Sequence, residues 1–166
     1  MRLLNLILLL PVFGACATAT AGDGPRTPAK RSVLFLCPYG GAKSVIAASY
    51  FNRLAKQHAL PYVAVAAAAE EPYAAVPAPV AEFLQRDGID VRAFKPRHVA
   101  AEDVNGAAKV VSIDCNLGAV GLGGAVVERW DDVPKVSDGV DASASAIRRN
   151  VEMLVEALAE ELRGRR

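Results

Sequence analysis

Apolar residues fall along this chain in two alternating rhythms. Ser32–Leu36 (SVLFL) is a short continuous apolar run, as expected of a parallel strand covered on both faces. Tyr62–Ala68, Lys109–Ile113 (KVVSI) and Val126–Trp130 read as three further strands. Between them the spacing becomes helical. Ser44–His58 carries Val45, Ala48, Phe51, Leu54 and Ala55 on one face, and Pro77–Arg86 is a helix closed by Gly88. Ala100–Asn105 is a short helix, and Ser143–Leu162 a long amphipathic one with Ile147, Val151, Leu154, Val155, Leu158 and Leu162 together. Strands alternating with helices pair in parallel through right-handed crossovers, so the pattern predicts a three-layer α/β sandwich. Glu70–Val76 and the glycine-rich Gly118–Gly124 read as loops, the latter mobile and without the spacing or context of a dinucleotide fingerprint. The Ala-rich run from Val63 to Ala69 reads as a tightly packed strand and its exit.

The first 21 residues follow another grammar. One positive charge, Arg2, precedes the apolar run Leu3–Leu10 and then small residues, the pattern of a signal peptide too short to span a bilayer. Ala19-Thr20-Ala21 is a small-x-small cleavage site before Gly22. Phe13-Gly14-Ala15-Cys16 resembles a bacterial lipoprotein box in which Cys16 would be lipidated, although Phe13 departs from the usual Leu. The alternative is a buried N-terminal helix. Residues 22–31, with Pro25 and Pro28, read as a polar linker. The expectation is an exported chain, periplasmic or lipid-anchored through Cys16 at a bacterial membrane, with one domain over 32–163.

Composition narrows the choice of partners. The chain of 166 residues is 52% hydrophobic and 22% charged, enough for one real core and too apolar for disorder. Its net charge is +1, and beyond Arg2 the two signs balance. A neutral body supplies no field for nucleic acid or an anionic membrane, so any bound anion must be held by a local site. Three cysteines are too few for a disulfide scaffold, and His58 and His98 lie far apart, which argues against a His-based metal site.

That local site is legible between the first strand and the first helix, in Cys37-Pro38-Tyr39-Gly40-Gly41-Ala42-Lys43-Ser44. A thiol there sits among backbone N–H groups that have no helical partner, at the positive end of the helix dipole. These groups favour an anion, and favour thiolate over thiol at Cys37, as a sulfur nucleophile requires. Gly40 and Gly41 let the backbone turn its amides inward as a concave nest. Lys43 closes the loop with a positive charge, and Ser44 is placed to donate a hydrogen bond to the thiolate. The bland alternative is a free cysteine acting as a small buried hydrophobe.

The segment VLFLCPYGGAKSVIAASYFNRLA resembles the opening of the low-molecular-weight protein-tyrosine phosphatases and the related arsenate reductases, whose signature is Cys, five residues, Arg, Ser. The resemblance continues through Gly88-Ile89-Asp90, Lys95-Pro96-Arg97, KVVSIDC and Trp130-Asp131-Asp132-Val133-Pro134, about residues 32–162 in all. It implies a flavodoxin-like sheet of four parallel strands in the order 2-1-3-4, with no metal or organic cofactor. It implies Cys37 as the nucleophile, oxyanion binding by the amides of Tyr39, Gly40, Gly41, Ala42, Lys43 and Ser44, and Ser44 as support for the thiolate. The family's general acid is an Asp before Pro on the loop after the fourth strand. Asp132 is the candidate here and Asp131 the reserve, against the alternative of a polar turn.

Three departures from the family pattern matter. Lys43 stands where the family has Arg, and an ammonium cannot reproduce the planar two-oxygen grip of a guanidinium. Losing one such transition-state contact lowers rates by about 10²–10³. Gly40 stands where the phosphatases carry an Asn. Of the two further cysteines needed by a triple-cysteine reductase, the body offers only Cys115, either a resolving thiol for Cys37 or an unpaired loop cysteine. In the oxidising compartment that export implies, a Cys37–Cys115 disulfide would silence the nucleophile. Tyr39 and Tyr73 are read as flanking the mouth or packing on neighbouring loops, Trp130 as core, and His98 as a local cap. The leading expectation is phosphate-monoester hydrolysis of the phosphotyrosine type. The alternatives are arsenate reduction by Cys37 with Cys115 or an external thiol, and oxyanion binding without turnover.

Overall fold

The computed structural model describes residues 31–165. The leader, the Cys16 box and nearly all of the linker lie outside the described residues. The elements are β1 (Arg31–Cys37), α1 (Lys43–Gln57), β2 (Tyr62–Ala68), α2 (Ala78–Arg86), α3 (Ala101–Asn105), β3 (Ala107–Ser112), β4 (Val127–Arg129) and α4 (Val140–Gly164), with a 3-10 turn at Val136–Asp138 before α4. The four strands form one sheet in the order β2-β1-β3-β4, every pair parallel.

β1 is central, and its burial explains its unbroken apolar run. Val33, Phe35 and Cys37 pack on the face covered by α1, α2 and α4, while Leu34 and Leu36 pack on the other. Phe35 meets Phe51 and Trp130 with ring centroids 5.7 and 5.6 Å apart, which places Trp130 in the core. The two outer layers are unequal. The second face is covered by the short α3, through Val104, and by the loop that follows β3, through Cys115, Leu117, Val120 and Ala125. β2 is an edge strand, and Asn52 of α1 satisfies its outer backbone, accepting from the Ala64 N–H at 2.8 Å. α4 begins three residues earlier than its apolar spacing alone indicates, because Gly139 (φ +138°) ends the 3-10 turn and Val140 and Asp141 join the helix.

Asp87, at the end of α2, ties three helices together. It accepts from the Tyr50 hydroxyl of α1 at 2.5 Å and from the Arg148 guanidinium of α4, which also lies over the Tyr50 ring. The Tyr50 hydroxyl, then the Arg148, Arg53 and Arg86 guanidinium groups, hold Asp87 below the usual carboxylate range despite partial burial. A carboxylate lowered in the folded state stabilises above its unfolded range, and that stability is lost as pH falls through its folded value. Asp87→Asn is therefore expected to lower stability by about 1–3 kcal/mol at neutral pH, with the gap from wild type closing on acidification. Thermal melts between pH 7 and pH 3 check this; a gap constant with pH would remove the ion pairing from the explanation.

Candidate active site

The loop between β1 and α1 keeps its carbonyls turned away from the site. The Cys37, Pro38 and Tyr39 carbonyls accept from the N–H groups of Ala69, Glu70 and Tyr73 in the loop after β2, at 3.0, 2.9 and 3.0 Å. Among the described residues, none of the N–H groups from Tyr39 to Ser44 donates to a protein acceptor. α1 adds to this positive end: its N-cap is Ala42, with no side-chain cap and no acidic residue in the first turn. The loop is thus a run of N–H donors without protein acceptors, directly following Cys37 and Pro38, of the kind that holds an anion.

Gly40 makes this path possible. It has φ +63°, and a Cβ there would lie 2.7 Å from the Ala68 nitrogen and 2.9 Å from the Ala68 Cβ. The small residues at the end of β2 fit this path: Ala67 and Ala68 are fully buried, and atoms of both lie within 3.0 Å of where a Gly40 Cβ would stand. Gly40→Ala is expected to lose about 2–3 kcal/mol of stability through positive φ and backbone overlap. It should also weaken phosphate binding at least tenfold, because the amides must move. Melting curves and a phosphate titration of the variant test both; wild-type values would mean the loop follows another path.

Cys37 is 3% exposed, and its Sγ lies 3.1 Å from the Ser44 Oγ. It opens onto a cavity of about 320 Å³ lined by Pro38, Tyr39, Ala42, Lys43, Tyr73, Asp114, Lys135, Val136 and Ser137. Tyr39 and Tyr73 stack on each other at the rim with centroids 4.8 Å apart, and both stay partly exposed. Burial, then the neighbouring Tyr39 and Cys37, push the Tyr73 hydroxyl up from its ordinary value.

Lys43 is buried and engaged. Its Nζ donates to Asp114 Oδ2 at 2.9 Å and to the Val133 carbonyl at 3.0 Å. It thereby binds the loop to the end of β3 and to the segment after β4. Asp114 sits at φ +46°, a left-handed conformation that Asp tolerates better than most residues.

Asp132 is not in this cavity. It lines a separate depression with Trp130, Asn150 and Met153, while Asp131 pairs with Arg129 at 2.9 Å. Val133 explains the displacement: its side chain is buried in the core and its carbonyl faces Lys43, so Asp132 turns outward. The residues of this segment that reach the cavity wall are Lys135, Val136 and Ser137.

Cys115 also differs from the resolving-thiol reading. It packs with Leu34, Leu36 and Val110, on the opposite face of the sheet from Cys37, and borders another depression with Glu70, Arg129 and Asp131. Burial pushes its thiol up, against the Ser112 hydroxyl 3.3 Å away. Both cysteines are free. His98 extends β2 by a bridge to Ala68 and lies 3.5 Å from Glu71. Asp114, Lys135, Val136 and Ser137 are lining residues that the sequence pattern does not single out. The available signal for Asp114 was its place just past a parallel strand, at the edge where ligands bind. Among the described residues no group of His, Cys, Asp and Glu is placed to hold a metal, and no helix is long and apolar enough to cross a membrane.

This architecture, a four-stranded parallel sheet in the order 2-1-3-4 covered by helices, is the fold of the low-molecular-weight phosphatases and arsenate reductases. The chain is similar to YfkJ from Bacillus subtilis, with a TM-score of 0.66 and 22% identity over 84% of this chain and 99% of that one. A low-molecular-weight phosphotyrosine phosphatase from Vibrio cholerae gives a TM-score of 0.69 at 17% identity, covering 79% and 98%. An arsenate reductase from Archaeoglobus fulgidus gives 0.61 at 26%, covering 75% and 98%. By sequence, no protein-family model and no curated relative matches the chain.

Proposed function

We propose that the protein hydrolyses phosphate monoesters of acidic alcohols, aryl phosphates above all, through a Cys37 thiolate. The observation that carries this reading is the set of unpartnered amides from Tyr39 to Ser44 around a sulfur 3.1 Å from the Ser44 hydroxyl. Three phosphate oxygens would take the amides, with phosphorus facing Cys37 Sγ. An S–P bond forms as the ester P–O bond breaks, and the electron pair leaves on the aryl oxygen. Water then attacks phosphorus, the S–P bond breaks, and inorganic phosphate and the thiolate are released. Asp114 is the only carboxylate lining the cavity among the described residues, and it is bound to Lys43. The leaving oxygen therefore takes its proton from solvent, which restricts the reading to good leaving groups. Asp114 is the candidate to accept the proton of the attacking water. With the 1–21 leader, the same reading makes this an exported activity.

The engagement of Lys43 by Asp114 and Val133 favours a second reading, capture of a small oxyanion without turnover. Arsenate reduction would need an external thiol, since Cys115 packs across the sheet. The deciding experiment is hydrolysis of 4-nitrophenyl phosphate in reducing buffer, beside calorimetric titration with inorganic phosphate. Saturable turnover inhibited by phosphate supports hydrolysis. Phosphate binding with no turnover leaves the binder, and thiol consumption only in the presence of arsenate leaves the reductase.

A further inference from the structure

The cavity has two lysines with unlike circumstances. Lys43 is neutralised by Asp114 and held by the Val133 carbonyl. Lys135 lines the same cavity, is exposed, and its ammonium has no ion-pair or hydrogen-bond partner among the described residues. The loop amides suffice for one tetrahedral anion at Cys37, so the charge on Lys135 is left over once that anion is seated. The space is also more than a bare phosphate needs: about 320 Å³ falls in the range of pockets that hold small organic ligands. Its rim is the stacked Tyr39–Tyr73 pair, a flat apolar surface, and Ser137, whose hydroxyl donates to Asp138 at 3.2 Å, lines the same space beside Lys135.

We infer that Lys135 selects phosphate esters carrying a second anionic group, such as a carboxylate, on an aromatic or flat body. The phosphate sits in the loop, the ring lies against the tyrosine rim, and Lys135 receives the second anion. This rests on the cavity's being an organic-phosphate site, as proposed above, but its test does not need turnover. A cation that is exposed in the free protein and shares its anion with solvent gives a modest preference, about fivefold to tenfold.

The test uses Cys37→Ser protein and two non-hydrolysable analogues, phenylphosphonate and 3-carboxyphenylphosphonate, titrated by calorimetry. The carboxylated analogue should bind about fivefold to tenfold more tightly at low salt, with the ratio shrinking as salt rises. Adding Lys135→Met should bring the two analogues to the same affinity, and Lys135→Arg should restore the preference. Equal affinities in the Cys37→Ser protein, a preference that survives Lys135→Met, or binding of neither analogue would each overturn the inference. Failure of the hydrolysis reading is distinguishable, because it removes turnover of 4-nitrophenyl phosphate by the wild type and leaves the analogue ratio in place.

Discussion

Cys37→Ser is expected to reduce aryl-phosphate hydrolysis by about 10³-fold or more while phosphate still binds. The two effects separate because they belong to different atoms. Nucleophilic attack needs the sulfur, and a serine hydroxyl with no adjacent base is a poor substitute. The nearest side-chain partner of Cys37 is the Ser44 hydroxyl, which can donate to an anion but cannot take up a proton usefully near neutrality. Binding, in contrast, is assigned to the N–H groups from Tyr39 to Ser44, and none of these is altered by exchanging sulfur for oxygen. Steady-state kinetics and phosphate titration of the same preparation test both halves. Turnover that persists in the variant would move the chemistry away from Cys37, and loss of phosphate binding would mean that the sulfur, not the amides, organises the site.

The second large effect concerns stability. Lys43→Met is expected to destabilise the fold by about 2–3 kcal/mol, because a buried side chain loses an ion pair and a bond to a core carbonyl together. The Val133 carbonyl is left without its donor, and the segment leading to Lys135 loses its tie to the loop. The Asp114 carboxylate is 48% exposed and can rehydrate, which keeps the effect below that of a fully buried broken pair. For a domain of this size the melting temperature should fall by roughly 5–10 °C. A double-mutant cycle with Asp114→Asn isolates the pair: the joint loss should be smaller than the sum by about 1 kcal/mol or more. Additive losses would show that Lys43 acts through packing alone.

The candidate site divides along a physical line. Cys37, Gly40 and Ser44 are legible because they lie within one segment of eight residues and their chemistry is set by local backbone geometry. A strand ending at Cys37, a residue free to take positive φ at Gly40, and a helix starting at Lys43 assemble the amide nest without reference to anything distant. The loop after β4 was read differently from its structure. Asp131 and Asp132 are the acidic residues nearest Pro134 in sequence, but burial of Val133 decides which side chains face inward, and it directs the wall positions to Lys135, Val136 and Ser137. Cys115 was read correctly as lying beyond the end of β3. Which face of the sheet it packs on depends on the loop that follows, and that loop carries it to the side opposite Cys37.

From the order of its apolar runs and helical stretches alone, the chain is an α/β protein with parallel strands and a cysteine loop at a strand end, because period and handedness constrain local structure and connection. What the tertiary structure decided is which charges of the site are paired. Lys43 reads from the chain as a free cation closing the loop, and it becomes a buried strut because Asp114, 71 positions away, and Val133, 90 positions away, arrive beside it on folding. Lys135, unremarkable in sequence, then becomes the open cation of the cavity. Electrostatic partnership depends on distance in space, and only the packed sheet brings these segments within reach.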